Sequence, residues 1–174
     1  MPSAPPLFIV LNAASGSDDA RRAGEALSAR LEVSGRTHQL LRVSRPDELG
    51  AAIGRAVLAA REARGVVVAA GGDGTMNAVA QAAWNADLPM GVLPLGTFNY
   101  FARAHDIPVE PMAALAALLN ARVAEVPVGR VGERVFLVNA SVGLYPRLLE
   151  QREQAKRRFG RHRLVALLSG LGSL

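Results

Sequence analysis

Residues 65–77 read Gly-Val-Val-Val-Ala-Ala-Gly-Gly-Asp-Gly-Thr-Met-Asn. An apolar, β-branched run leads into three glycines around one aspartate, and a helix-forming segment follows. This predicts a buried strand, a tight turn and a helix start in immediate succession. Gly71, Gly72 and Gly74 place no Cβ in the way of a ligand and reach backbone angles closed to other residues. Thr75 is the expected N-cap of a helix over residues 76–85.

A helix that begins above such a strand presents unpaired N–H groups and the positive end of its dipole, and phosphate suits that place. Asp73 is unusual in an anion site. Three roles fit it: orienting the loop, accepting a hydrogen bond from a ribose or other hydroxyl, or holding Mg²⁺ through water. An ordinary strand-to-helix connection without a ligand is the competing reading, and glycines permit that too.

The same arrangement recurs along the chain. Residues 7–11 read as a buried strand, followed by the small-residue loop 12–17, whose Asn12, Ser15 and Gly16 form a second candidate phosphate turn. From Asp18, the positions Ala20, Ala23, Leu27 and Leu31 fall on one helical face. Gly35 ends that helix, and a second strand covers residues 37–43. Ser44 and Pro46-Asp47-Glu48 then open a helix with proline in its first turn. Its apolar face is Leu49, Ala52, Ile53, Ala56, Val57 and Ala60. The helix after the glycine turn carries Trp84, the only tryptophan, expected in core or interface packing. A fourth strand over 90–93 meets the turn Pro94-Leu95-Gly96-Thr97-Phe98-Asn99, where Pro94 stops the ladder and Thr97 caps a helix through Ala104. Three strands emptying into three such turns predict an α/β, Rossmann-like three-layer fold around a parallel sheet, with helices on both faces and the turns at its carboxyl edge.

Beyond Pro108 and Pro111, a short helix is expected over 112–121. The pattern then changes: residues 122–128 and 134–142 read as strands of a hairpin joined through 129–133. The expected organisation is an α/β nucleotide-binding domain over 1–124 and, over 125–174, the beginning of a truncated β-rich domain with a basic and apolar helical tail.

At 174 residues, half of them apolar, the chain is long enough for a substantial core. It has no cysteine, which excludes disulfides, thiolate metal sites and cysteine nucleophiles. The net charge of +5 lies in residues 147–163, which hold seven basic and two acidic side chains; elsewhere the charges cancel. A solvated helical face and attraction to an anionic membrane surface both account for that segment. Phe159 is the one Phe, Tyr or Trp in that segment, too little for a stacking surface, so nucleic acid is not an expected partner. The apolar run at residues 7–11 has no basic flank and is too short for a signal peptide or a membrane span. The expected location is the cytoplasm, with peripheral contact to a membrane, and the apolar tail over 164–174 points to association, a homodimer among the forms. The P-loop and dinucleotide motifs are absent. His38, His105 and His162 have no metal spacing, and neither Ser15 nor Ser141 sits in a nucleophile elbow.

Taken together, Asn12-Ala13-Ala14-Ser15-Gly16, then Gly71 to Asn77, then Pro94 to Asn99 resemble, in order and spacing, the diacylglycerol kinase catalytic domain of bacterial lipid kinases and sphingosine kinases. Phe136-Leu137-Val138-Asn139 with Gly143 is a later match. Gly-Gly-Asp-Gly alone is shared with NAD kinases and phosphofructokinases; the Pro-Leu-Gly-Thr-x-Asn turn narrows the resemblance to the lipid-kinase branch. The resemblance implies ATP in a cleft between an α/β domain and a β-rich domain, and transfer of its γ-phosphoryl to a lipid hydroxyl, with Mg²⁺ offsetting phosphate charge. By the same resemblance Ser44 lies near the nucleotide, Gly71, Gly72, Asp73, Gly74, Thr75, Met76 and Asn77 line the phosphates, and Gly96, Thr97 and Asn99 contribute from the next turn. The general base is expected in the second domain. Three positions depart from the family pattern: Ala78 replaces a common glutamate, Tyr100 a frequent aspartate and Ala13 a common proline. A non-catalytic or truncated nucleotide-binding or interaction domain is the alternative reading.

Overall fold

The computed structural model describes residues 4–12 and 18–140, with side chains in the first helix described from Arg22 onward. Expectations resting on Ala13, Ser15, Gly16, Ala20, Ser141, Gly143, the basic segment and the apolar tail lie outside the described residues. The chain alternates β1 (Leu7–Asn12), α1 (Asp18–Val33), β2 (His38–Val43), a 3₁₀ turn (Pro46–Glu48), α2 (Leu49–Ala63), β3 (Val66–Gly71), α3 (Asp73–Ala86) and β4 (Met90–Pro94). The short helix α4 (Tyr100–Ala104) and α5 (Pro111–Leu119) follow, then the hairpin β5 (Gly129–Val131) and β6 (Arg134–Phe136).

Strands β1 to β4 form one parallel sheet in the order β2-β1-β3-β4. Side chains alternate across a strand, so β1, apolar up to Asn12, and β3 feed two cores. Phe8, Val10, Val67 and Ala69 pack with Ala52, Ile53 and Ala56 of α2 and Met76 and Val79 of α3. Leu7, Ile9, Leu11, Val66 and Val68 pack on the other face with Leu27 and Leu31 of α1 and Ala114 and Leu115 of α5. This is the expected three-layer α/β fold, and the apolar face read for α2 is the one it buries.

Several local expectations are corrected. Helix α3 begins at Asp73 with Gly72 as its N-cap, so Thr75 lies inside the first turn instead of capping it. Its hydroxyl is occupied by a long-range partner described below. Thr97 does not cap a helix either: the chain first completes a turn over residues 95–99, and α4 starts at Tyr100 behind Asn99. Trp84 is 54% exposed, which removes it from the core of the described residues. Pro94 is itself the last residue of β4, paired with Gly71, and the ladder runs one bond further, from Leu95 N–H to the Gly71 carbonyl at 2.9 Å. Residues 121–128 are not a strand but an exposed irregular run. The hairpin is real and antiparallel, but it turns at Gly132 and Glu133, and residues 129–131 form its first strand. Gly132, in the left-handed region at φ +57°, supplies the reversal.

Among the described residues no helix is long and apolar enough to cross a membrane.

Candidate functional site: three turns at the carboxyl edge of the sheet

Strands β1, β3 and β4 are neighbours and parallel, so the segments after Asn12, Gly71 and Pro94 leave the sheet at one edge. There the backbone approaches are close. A Cβ on Gly96 would stand 2.6 Å from the Cα of Gly72, so the second and third turns touch main chain to main chain. A Cβ on Gly71 would meet the Thr75 hydroxyl and Cβ at 2.8 Å. In contrast, a Cβ on exposed Gly74 would meet nothing within 4 Å. The turn is therefore closed beneath Gly71 and Gly72 and open above Gly74.

The polar side chains of the first two turns are joined. The Asn12 side-chain amide donates to the Thr75 hydroxyl at 2.8 Å, and Thr75 is buried. Gly72 brings no capping side chain to α3. The first N–H groups of any α-helix lack acceptors within it, so this helix start offers donors beside the open space over Gly74. Of the three roles that fit Asp73, one has a partner within the chain: its carboxylate accepts from the Phe101 N–H at 3.4 Å and ties α4 to the glycine turn.

The third turn is held by Asn99, buried and left-handed at φ +51°. Its Oδ1 accepts from the Gly96 N–H at 3.0 Å and its Nδ2 donates to the Gly96 carbonyl at 2.8 Å. With Asn99 turned inward, its neighbours turn outward. The rings of Phe98 and Tyr100 stack in parallel, with centroids 5.4 Å apart and planes 2° apart, and both are more than half exposed. Tyr100 thus puts an aromatic surface, and no carboxylate, at the lip of the site.

The remaining sequence-derived candidates divide. Thr97 is exposed at the same edge. Ser44 is exposed after β2, which β1 separates from the strands carrying the glycine turns, and its N–H is taken by the Glu48 carboxylate at 3.1 Å. Met76 is fully buried in the core beneath α3. Both atoms of the Asn77 amide serve β6: Nδ2 donates to the Val135 carbonyl at 3.3 Å, and Oδ1 accepts from the Leu137 N–H at 3.1 Å. Ser15 and Gly16 lie outside the described residues. Sequence reasoning missed Gln81, which accepts from the Val135 N–H at 2.9 Å. Its place four residues after Asn77, on the same helical face, was the available signal.

The sequence profile of the diacylglycerol kinase catalytic domain matches residues 6–131, from the strand before the first turn to the end of β5. The chain belongs to the diacylglycerol kinase catalytic domain family. A probable lipid kinase YegS-like protein of Serratia proteamaculans is 32% identical over 148 residues, covering 82% of this chain and 46% of that protein. A diacylglycerol kinase of Staphylococcus aureus is 33% identical over 137 residues, covering 78% of this chain and 42% of that one. The chain thus spans less than half the length of these curated relatives. The crystal structure of a diacylglycerol kinase from Bacillus anthracis superposes with a TM-score of 0.64 at 22% identity, over 79% of this chain and 51% of that one. That likeness is one of fold, a parallel sheet with helices.

Proposed function

We propose that this chain is the ATP-binding part of a lipid kinase of the diacylglycerol kinase type, acting in transfer of the γ-phosphoryl of Mg·ATP to a lipid hydroxyl. The observation that carries the reading is the open backbone above Gly74, at an uncapped helix start flanked by two further turns. Phosphate oxygens fit there because they accept from main-chain N–H groups and gain from the helix dipole. The metal ion enters as part of Mg·ATP, bound to the nucleotide's phosphates, and Asp73 is the carboxylate at the turn that suits its water shell. Phosphoryl transfer needs position and charge compensation more than covalent help from the protein. The turns supply position, and by the family resemblance the base for the lipid hydroxyl is proposed in a β-rich second domain. A lipid acceptor and ATP as donor support a peripheral enzyme at the cytoplasmic surface of a membrane.

A second reading is a nucleotide-binding domain without catalysis. Tyr100 and Ala78 favour it, since each stands where the family often has a carboxylate. The two are separated by calorimetry of Mg·ATP on this chain and on Asp73→Asn, which keeps an acceptor for Phe101 N–H, with NAD as competitor. Saturable ATP binding, weakened in the variant and indifferent to NAD, supports the nucleotide site; a folded chain that binds no ATP overturns it. Phosphorylation of diacylglycerol-containing vesicles by the longest protein carrying this chain then separates kinase from binding domain.

A further inference from the structure

Helix α3 does two jobs. Its first turn is the glycine turn, and one face further along is a ladder for β6. A two-stranded hairpin is at best marginally stable alone, and among the described residues the sheet of β5 and β6 has two strands. Its second edge is completed by side chains. Gln81 Nε2 donates to the Glu133 carbonyl at 3.1 Å, and Gln81 Oε1 accepts from Val135 N–H at 2.9 Å. Asn77 holds the Val135 carbonyl and the Leu137 N–H. The spacing explains why amides can replace a strand. Four residues of helix rise about 6 Å, and two residues of strand advance about 6.7 Å. Residues 133, 135 and 137 therefore meet amides at 81, 81 with 77, and 77 in turn. Val135, buried at 3% exposure, is the side chain this docking seats.

Asn77 lies one helical turn beyond Asp73, and a packed helix carries a displacement along its axis undiminished. We infer that Asn77 and Gln81 are positioning residues, coupling the seating of the 129–137 hairpin to the geometry of the glycine turn, so that each state tightens the other. The inference rests on the reading of that turn as a nucleotide site. It goes beyond it by giving two side chains that face away from the nucleotide a part in its affinity. Binding coupling is reciprocal: a ligand that fixes the start of α3 also fixes the hairpin, and loosening the hairpin weakens the ligand.

The test is amide exchange at Val135 and Leu137, read against Val68 in the core, in the full chain with and without Mg·ATP, beside calorimetry. In the wild type, Mg·ATP is expected to slow both reporters relative to Val68. Gln81→Met keeps the side-chain length but not the amide. It is expected to speed Val135 exchange at least tenfold relative to Val68 and to weaken Mg·ATP binding about fivefold or more. Faster Val135 exchange with unchanged ATP affinity overturns the inference and leaves the nucleotide site standing. A wild type that binds no ATP is seen in the calorimetry and counts against the site itself. Thr75→Val then decides the coupling without nucleotide, because it disturbs the turn alone. Faster exchange at Val135 and Leu137, beyond any change at Val68, supports the coupling, and exchange no faster than at Val68 overturns it.

Discussion

Asn12, at the end of β1, donates its side-chain amide to the hydroxyl of Thr75 in the first turn of α3, at 2.8 Å and across 63 residues of sequence. This bond fixes the first turn against the second. Thr75 is 5% exposed, so removing its partner strands a buried hydroxyl. Asn12→Ala is expected to cost about 1–3 kcal/mol, the range for a buried polar group left unsatisfied. Thr75→Val replaces the hydroxyl by a methyl group of similar size and is expected to cost about 1 kcal/mol. Urea unfolding of both variants measures the difference. Equal losses would mean that water replaces the missing partner.

Gly96 and Gly74 make opposite predictions. Gly96→Ala drives a Cβ to 2.6 Å from the Gly72 main chain, where nothing flexible can yield. The two turns must part, at about 1–3 kcal/mol, with loss of ATP affinity following from loss of geometry. Gly74→Ala meets no atom within 4 Å and lies inside α3. It is expected to stabilise the fold by about 0.5–1 kcal/mol while weakening ATP binding, because the methyl group enters the ligand's space. Thermal unfolding beside calorimetry separates the two effects. A Gly74→Ala chain that is more stable and binds ATP as before would place the ligand elsewhere.

Helix α5 gives a pH-dependent contribution. The Glu110 carboxylate accepts from the Met112 N–H at 3.0 Å and the Ala113 N–H at 2.7 Å. These two bonds, Met112 first, hold its pKa below the usual carboxylate value. A depressed folded pKa means a contribution fully present above the unfolded value of about 4.3 and lost as pH falls through the folded one. The Tm of Glu110→Ala should therefore fall below that of the wild type at pH 7, and the gap should narrow as the pH is lowered below the unfolded value. A gap independent of pH would assign the loss to packing instead of the cap.

The hairpin has its own steric signature. A Cβ on Gly129 would stand 2.1 Å from the ring of Phe136, its cross-strand partner. Gly129→Ala is expected to displace that ring and open the hairpin, with the Val135 and Leu137 amides losing protection while those of β3 keep theirs. Hydrogen exchange reports it directly.

Strands β1, β3 and β4 were legible because they are apolar runs bounded by turn residues, as in 66–71. Helix α2 was legible because its apolar positions recur at helical spacing behind Pro46. The turns were legible in composition but not in detail. Asn, Ser and Thr serve as caps or as long-range partners with the same chemistry, and only tertiary contact decides. Thr75 reads as a cap from its neighbours, yet it bonds to Asn12, which no local rule connects to it. The run 122–128 is rich in valine as a strand is, but without a neighbouring strand its main chain gains nothing by extending. The family resemblance puts Asn77 at the phosphates; helical rotation carries its amide to Val135 and Leu137.

Helices α2 and α3 end alike. Arg64 and Asp87 are left-handed at φ 50° and 53°, and the next residues, Gly65 and Leu88, donate back to Ala60 and Ala83. That closure ordinarily favours glycine, yet an arginine and an aspartate fill it. In the genetic code each stands one base change from glycine. A lineage of this protein under heat or mutational load therefore has two adjacent genotypes that relax a backbone without touching the turns, the hairpin or the core.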